Sequence, residues 1–571
     1  MFLKKSTNNK TGRTYLSIVR TYRDKVKGTT RTSTVKSLGY LDELEKQFEN
    51  PIAHFTKVAE EMNLKETSEN PPAVISFDKT ERLSTAFPGT KNLGYAALSA
   101  IYHELGLHAF LSSRSRSWGT QFNANSIMKL LVFSRILSPA SKQKTFNGKE
   151  LYFDKMDFSL DDVYRCLTKI APLSKKIQVH LHQKVSSLCD RNTDLVYYDV
   201  TNYYFEIDKQ DELRKKGISK ERKADPIVQM GLFMDNKGIP ISYSLFPGNT
   251  NDCETLIPTM KEMKREFGLD KVIVVADKGM NTHKNIVFNL LQGDGYVYSQ
   301  TVRGGHKELK DFVLDESGYR QVGEDFRIKS RVYPREITVQ DIHGKLQKVR
   351  IDEKQVAFYS ERYARKAKAD RQGALAKAYD LINNPSKYNQ ATSYGAAKYV
   401  KNLVFDKGTG EIVTTKQIPV FDTKKLQEEE RFDGYYVIIT SELDKSDEEV
   451  IEIYRGLWHI EESFKVTKSD LKSRPVYVSR HDHINAHFLI CFISLMIARL
   501  LALRLGNQYS ISRIVESLNK VTCVPLEENW YAFHYVDEIT ETIKANLGID
   551  FGYKYLTLGE IKKIIADTKK R

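Results

Sequence analysis

"LVYYDVTNYYFEI", Leu195–Ile207, alternates and is rich in Val and Tyr, so it predicts a strand. Before it the chain reads as helix. "LGYAALSAIYHELGL" (93–107), "ANSIMKLLVFSRIL" (124–137), "LDDVYRCLTKIAPL" (160–173) and "KKIQVHLHQKVSSL" (175–188) carry three-to-four apolar spacing. Asn125 and Ser159 fall at positions suited to helix caps. After it come "IVQMGLFMD" and "IPISYSLF", joined by the hairpin turn "DNKG". "CETLIPTMKEMKREFG" predicts an amphipathic helix closed by Gly268. "KVIVVAD" is a continuous apolar run, the pattern of a strand buried on both faces. A further helix and "GYVYSQT" complete the order β-β-β-α-β-α-β.

Residues 301–434 break that order with strand-like pieces ("FRIKSRVY", "REITVQDI", "KLQKVRI", "QVAFYS") and a basic helix, "ERYARKAKADRQGALAKAYDLI". "GYYVIITSEL" (434–443) returns to a buried-strand pattern, followed by "YRGLWHIEESFKVTKSDL" (454–471). There Ile453, Leu457, Ile460, Phe464 and Leu471 form an apolar stripe, which predicts one continuous helix. Tyr454, Glu461 and Lys468, spaced by seven, would then stack on one face. Trp458 is expected to pack against the core.

The 571 residues are 41% hydrophobic, enough for several packed domains, and carry a formal net charge of +15 with a pI near 9.2. That charge favours an anionic partner. Five scattered cysteines without a CxxC pair read as reduced thiols. "MFLKKSTNNK" lacks the apolar core of a signal peptide, and "FLICFISLMIA" (488–498) is too short to span a bilayer. These readings point to a cytoplasmic protein with no membrane partner and leave nucleic acid as the leading one. Residues 1–40 hold ten Lys/Arg and one acid, and read as a basic hairpin around Gly28. "ENPPAVIS" (69–76) reads as a linker.

Three acids fall on the α/β core. Asp199 lies inside a strand among aromatics, where a charge needs a partner or a metal. Asp277 ends a central strand, where ligand sites of α/β sheets collect. Glu461 lies on a helix after another core strand. Together they could hold hard divalent cations and support phosphoryl transfer. Plainer roles exist for each: an internal lysine pair for Asp199, a helix cap for Asp277, and i,i+4 partners of Lys465 for Glu461 or Glu462. His483, His487 and Cys491 share a helix face but sit among apolar residues, which favours core packing over metal. "GNTND" (248–252) is by default a turn into a helix capped by Asn251 or Asp252. The basic helix residues Arg362, Arg365, Lys366 and Lys368 suit a solvated face or backbone phosphates.

"DVT" on the first strand, "VVAD" on the fourth and "Y-x2-L-W-x-I-E-E-x-F-K-x2-K" on the later helix resemble the DDE transposases of bacterial insertion sequences. The nearer likeness is to the branch whose last acid lies in a Tyr-Arg-Glu-Lys (YREK) signature helix. "KNLGYAALSAIYHELGL", "DPIVQMGLFMDNKGIPISYSLFPGNTND" and "HINAHFLICFISLMIARLL" extend the resemblance over most of the chain. It implies an α/β, RNase H-like catalytic core interrupted by a β-rich insertion, with helical and N-terminal β DNA-binding regions. The expected division is 1–75 (basic β-hairpin and linker), 76–190 (helical DNA-binding region) and 191–300 (first segment of the RNase H-like core). It continues with 301–434 (insertion), 435–505 (second segment of the core) and 506–571 (C-terminal helical region).

The resemblance also implies Asp199, Asp277 and Glu461 as the metal-binding catalytic triad, with Mg²⁺ as cofactor and Mn²⁺ as a substitute. Tyr454 and Lys468 match signature residues that contact DNA phosphate, and Lys465, Arg362, Arg365 and Lys366 join them as expected DNA-binding residues. The signature Arg falls at 457, where this chain has Leu457. The implied activity is a DNA transposase, at the nucleoid and dimeric or higher on DNA. It would bind the element's terminal inverted repeats, cut at the ends and join the 3′-hydroxyls to target DNA. Two rivals are an RNase H-like nuclease without strand transfer and a non-catalytic DNA-binding protein derived from a transposase.

Overall fold

A computed structural model describes residues 1–8, 12–23, 30–68, 80, 82, 89–217, 225–340, 344–390, 392–405, 411–413 and 418–570. Gly28 and the 69–76 linker lie outside the described residues. The chain divides into two compact units, Met1–Ser84 and Thr85–Arg571.

The first unit has three antiparallel strands, Phe2–Thr7, Thr14–Arg23 and Thr30–Tyr40, rather than a bare hairpin, followed by a helix at Pro51–Ser68. The first strand escapes sequence reading because "FLKKST" is short and almost wholly exposed. Asn50 Oδ1 accepts from the Ala53 amide at 3.0 Å at the start of the helix. Leu16, Leu44 and Phe55 form the small core.

In the second unit a nine-stranded sheet carries the architecture. Its strands are β1 (Leu195–Tyr204), β2 (Ile227–Asp235), β3 (Pro240–Pro247), β4 (Ile273–Ala276) and β5 (Gly295–Gln300), then β6 (Arg320–Gly323), β7 (Phe326–Gln340), β8 (Leu346–Ser360) and β9 (Tyr435–Thr440). The spatial order is β6-β7-β8-β9-β5-β4-β1-β2-β3. Among the described residues only β1–β4 and β4–β5 pair in parallel. The insertion is therefore continuous with the core: its long hairpin β7–β8 joins the sheet through β9.

Helices α1 (Asp252–Phe267) and α2 (His283–Leu291) belong to one face, where Val196, Tyr198, Val274 and Ala276 pack with Leu256, Met260 and Ile286. Tyr197, Tyr203 and Val275 enter the other core, with Val450, Ile460 and Phe464. This two-sided burial is why "VIVVA" shows no alternation. The insertion contributes helix α3 (Glu361–Asn383). On the second face lie α4 (Asp447–Arg455), α5 (Trp458–Lys465) and α6 (His481–Arg504). Among the described residues α6 is long and apolar enough to cross a membrane, yet 89% of its most apolar window is buried inside the protein. Phe488, Phe492 and Leu495 sit in one core with Leu98, Phe133 and Leu167 of the preceding helices.

Three local expectations need correction. Asn123, not Asn125, caps the helix Ala124–Leu137, accepting from the Ser126 amide; Asn125 is spent on the Tyr102 hydroxyl at 2.8 Å. Ser159 does cap its helix, in a reciprocal box with Asp162. Asn251 occupies the cap position of α1 but makes no side-chain cap bond. The third concerns 506–571, which is not simply helical. Strands Thr522–Pro525, Trp530–Phe533 and Tyr555–Thr557 form a four-stranded sheet with Lys91–Asn92. Runs of two to four residues are too short to show a period.

Burial holds His103 and His182 neutral, pushing each down to about 4, and drives His487 well below its ordinary value. Their folded values lie below the unfolded value of 6.5, so below that pH the unfolded chain binds more protons. Their stabilising share is intact above pH 6.5 and lost as the pH falls towards about 4. Thermal unfolding should move to lower temperature across that window, and His487→Gln should flatten the dependence. An unchanged slope in the variant would remove His487 from the account.

Candidate active site

The three acids reach one region by different routes. In the parallel pair β1–β4 the last register partners are Tyr198 and Ala276, so Asp199 and Asp277 occupy the next position on adjacent strands. Neighbouring strands lie about 4.8 Å apart. Asp199 is half-buried, and its Oδ1 accepts from the Val200 amide at 2.7 Å. By the two-residue period it shares a face with Tyr197 and Tyr203. Both tyrosines grip the helical layer opposite: Tyr197 donates to the Ile453 carbonyl at 3.0 Å, and the Tyr203 and Thr467 hydroxyls are 2.9 Å apart. Glu461 lies between these two fixings in sequence and is exposed.

Asp277 is exposed and accepts from the Ser299 hydroxyl at 3.0 Å. It does not cap α2; Thr282 does, accepting from the Asn285 amide. Tyr454 closes the arrangement. Burial lifts its phenol well above the ordinary range; a hydrogen bond with Ser299 partly offsets this, and the negative charges of Asp277 and Glu461 add to it. Ser299 thus meets both Asp277 and Tyr454. Sequence reading missed it because one serine in a buried strand carries no signal.

Glu462 is otherwise engaged: Arg499 of α6 donates to it at 2.9 Å and to Ser463 Oγ at 2.7 Å. Among the described residues no three His, Cys, Asp or Glu side chains gather at metal-binding distance. The hard oxygen donors of Asp199, Asp277 and Glu461 nevertheless fit a divalent cation chemically. His483 meets the Thr168 hydroxyl at 3.1 Å, and His487 meets the Ser473 carbonyl at 3.1 Å, consistent with core roles for that stripe.

The continuous helix expected over 454–471 is broken twice. Helix α4 stops at Arg455, and the next turn tightens, with the Gly456 amide bonded to the Ile453 carbonyl and the Leu457 amide to that of Tyr454. A Cβ on Gly456 would sit 2.0 Å from the Tyr197 hydroxyl, so the close approach requires glycine. Farther on, Val466–Asp470 is a π turn closed by the Leu471 amide on the Val466 carbonyl. Lys468 lies in that turn, 5.9 Å from the Tyr203 ring centroid. The Tyr454–Glu461–Lys468 column is therefore not one straight helical face.

Leu457, where the resemblance leads one to expect an Arg, is a core residue at 6% exposure, while Arg455 pairs with Glu452 at 3.7 Å. Trp458 corrects another expectation. It is 52% exposed, its ring 3.9 Å from that of His459, rather than packed in the core.

A pocket of about 270 Å³ joins Asp277, Lys278, Ser299, Arg303, Tyr436 and Tyr454. A second, about 440 Å³, shares Arg303 and Tyr436 with it and adds Tyr363, Lys366 and Lys398. Lys366 of α3 thus stands beside the Asp277 region. Arg362 and Arg365 are exposed on the same helix but line neither pocket; Arg365 pairs with Asp325 at 3.3 Å. Lys465 is exposed one turn beyond Glu461. Tyr436 was invisible in the sequence because only the chain's return to the sheet brings it to Asp277, and Arg303 because a lone arginine just past β5 carries no signal until β5 is paired with β4.

Gly456→Ala should destabilise the protein by about 1–3 kcal/mol through overpacking against Tyr197. Tyr197→Phe should cost about 1 kcal/mol by removing its hydrogen bond to the helix. Denaturant unfolding of both variants checks this; a neutral Gly456→Ala would show that the kink tolerates a side chain.

Residues 204–497 match the transposase DDE domain family, and residues 3–73 match the N-terminal domain of the IS1634 family transposases. No curated protein matches the chain. Among solved structures, a piggyBac transposase synaptic complex with hairpin DNA aligns at 10% identity and a TM-score of 0.35, covering 83% of this chain and 84% of the other. A Mos1 transposase paired-end complex with the left transposon end aligns at 11% identity and a TM-score of 0.14, covering 42% and 66%. Likeness at those scores adds nothing to the assignment, which rests on the family match across more than half of the chain: the protein belongs to the DDE transposases of bacterial insertion sequences and is a DNA transposase.

Proposed function

We propose that Asp199, Asp277 and Glu461 are the catalytic and metal-binding acids of this transposase, with Mg²⁺ as the cofactor and Mn²⁺ able to replace it. The observation that carries the reading is the Tyr198–Ala276 register, which sets Asp199 beside Asp277 on the strand that Tyr197 and Tyr203 tie to the Glu461 helix layer. The engagement of Glu462 by Arg499 supports Glu461 as the third acid. Bound divalent ions would polarise the scissile phosphate and favour the deprotonated nucleophile.

In this reading the chain's own residues position the DNA. Tyr454 and Lys468 hold the backbone next to the acids, and Lys465 extends that contact. Lys366, Arg362 and Arg365 of α3 receive the flanking duplex, and their positive charge steers it. The N-terminal and helical regions bind the terminal inverted repeats. Water attacks first to free the 3′-hydroxyl, which then attacks target DNA. Two ends must be handled together, so the working form is a homodimer or larger, cytoplasmic at the nucleoid. With Leu457 in the core, Lys278 or Arg303 beside Asp277 takes the phosphate contact of the signature Arg.

Asp199→Asn, Asp277→Asn and Glu461→Gln should each abolish cleavage and end joining of a labelled duplex carrying the element's ends, by at least about 10³-fold, while DNA binding persists. Glu462→Gln should keep the chemistry and lose thermal stability. Cleavage without joining in the wild type would point to a nuclease, and activity surviving in Glu461→Gln would move the third acid to Glu462.

A further inference from the structure

Lys142 is only 5% exposed, and among the described residues no hydrogen bond or ion pair holds its ammonium, which meets the pocket rather than being sealed from solvent. A largely buried cation without a counter-charge is unfavourable unless an anion or water meets it. Lys142 lines a small pocket of about 40 Å³ with Arg135, Ser141, Tyr164, Tyr477 and His487, and no carboxylate is among the lining residues. Arg135 is 6% exposed and donates to the Leu471, Lys472 and Ala140 carbonyls at 3.2 Å each, leaving its Nε without a partner. Ser473 Oγ, on the adjoining segment, is likewise buried and unpartnered. Tyr477, 68% exposed, brings the pocket to the surface. A buried guanidinium and a largely buried amine, with unspent donors nearby and no acid between them, form a seat for an anion.

The position narrows the anion. Leu471 and Lys472, held by Arg135, directly follow the π turn that carries Lys468. An anion seated here lies against the segment that leaves the signature helix, and the substrate of this chain is DNA. We propose that Lys142, backed by Arg135, seats one phosphate group of the DNA backbone. Burial and the nearby Arg135 charge push the Lys142 amine down to about 7, so a phosphate oxygen would also secure its proton. The inference rests on the transposase reading but not on the identity of the three acids.

The test compares full-length wild type with Lys142→Met, which replaces the buried charge with an apolar chain of similar length. The variant should unfold at the same or a higher temperature. It should bind a duplex oligonucleotide about tenfold more weakly, with a log–log salt slope shallower by about 1. Wild type should also bind inorganic phosphate by calorimetry, and saturating duplex should abolish that binding. Unchanged affinity and slope in Lys142→Met would overturn the proposal. Phosphate binding that survives saturating duplex would overturn it too, leaving an adventitious ion only. Should the variant not fold, the wild-type competition decides alone. Loss of cleavage with intact binding in Glu461→Gln is a separate result, so a failure here is distinguishable from a failure of the triad.

Discussion

The Tyr197 hydroxyl on the Ile453 carbonyl is the contact on which the proposed active site depends. It joins the first strand of the sheet to a helix more than two hundred residues later in the chain. It also takes up a carbonyl at the turn where α4 gives way to α5, and Gly456 is what lets the phenol come so close. Tyr203 repeats the device six residues along, against Thr467 at the π turn. A strand and a broken helix are thus pinned at two points, with Asp199 on the strand between them and Glu461 on the helix between them. Helix breaks of this kind are costly in isolation, and a π turn in particular tends to mark a functional site.

The sheet solves a second problem. A DDE domain interrupted by over a hundred residues must recover its register after the interruption. Here the insertion does so by pairing: β7 and β8 form a long hairpin, and β8 pairs with β9, which pairs with β5. The returning strand delivers Tyr435 and Tyr436 to the wall of the pocket holding Asp277, and helix α3, which follows β8, brings Lys366 to the adjoining pocket. Basic and aromatic groups of the insertion therefore stand next to an acid of the core without a separate domain interface to order.

Charge is handled differently at the two sites. Around the acids the structure keeps Asp277 and Glu461 exposed, where water screens their charge, and Asp199 half-buried. Around Lys142 it buries cations and leaves donors unspent. The first suits recruitment of cations, the second of an anion, and the π turn with Lys468 lies in the chain between Glu461 and the segment that Arg135 holds.

By itself the sequence determined the succession β-β-β-α-β-α-β along the first part of the core, the two-sided burial of "VIVVA", the apolar stripe of Ile460, Phe464 and Leu471, and the three acids singled out as candidates; the sheet's spatial order and the merging of four strand-like pieces into the long hairpin β7–β8 it did not. These are readable because period and composition are local properties. Period could not reveal that the stripe belongs to a helix broken at Gly456, since a tight turn and a π turn shift the phase only slightly over so few residues. Nor could it show Trp458 exposed, because that residue lies beside the stripe and only the break decides which way it turns; Leu457, a member of the stripe, is buried as its spacing implies. Ser299, Arg303, Tyr436 and the Lys142 pocket were decided by tertiary structure alone. Each depends on partners far along the chain, and a single serine or lysine has no pattern until those partners arrive.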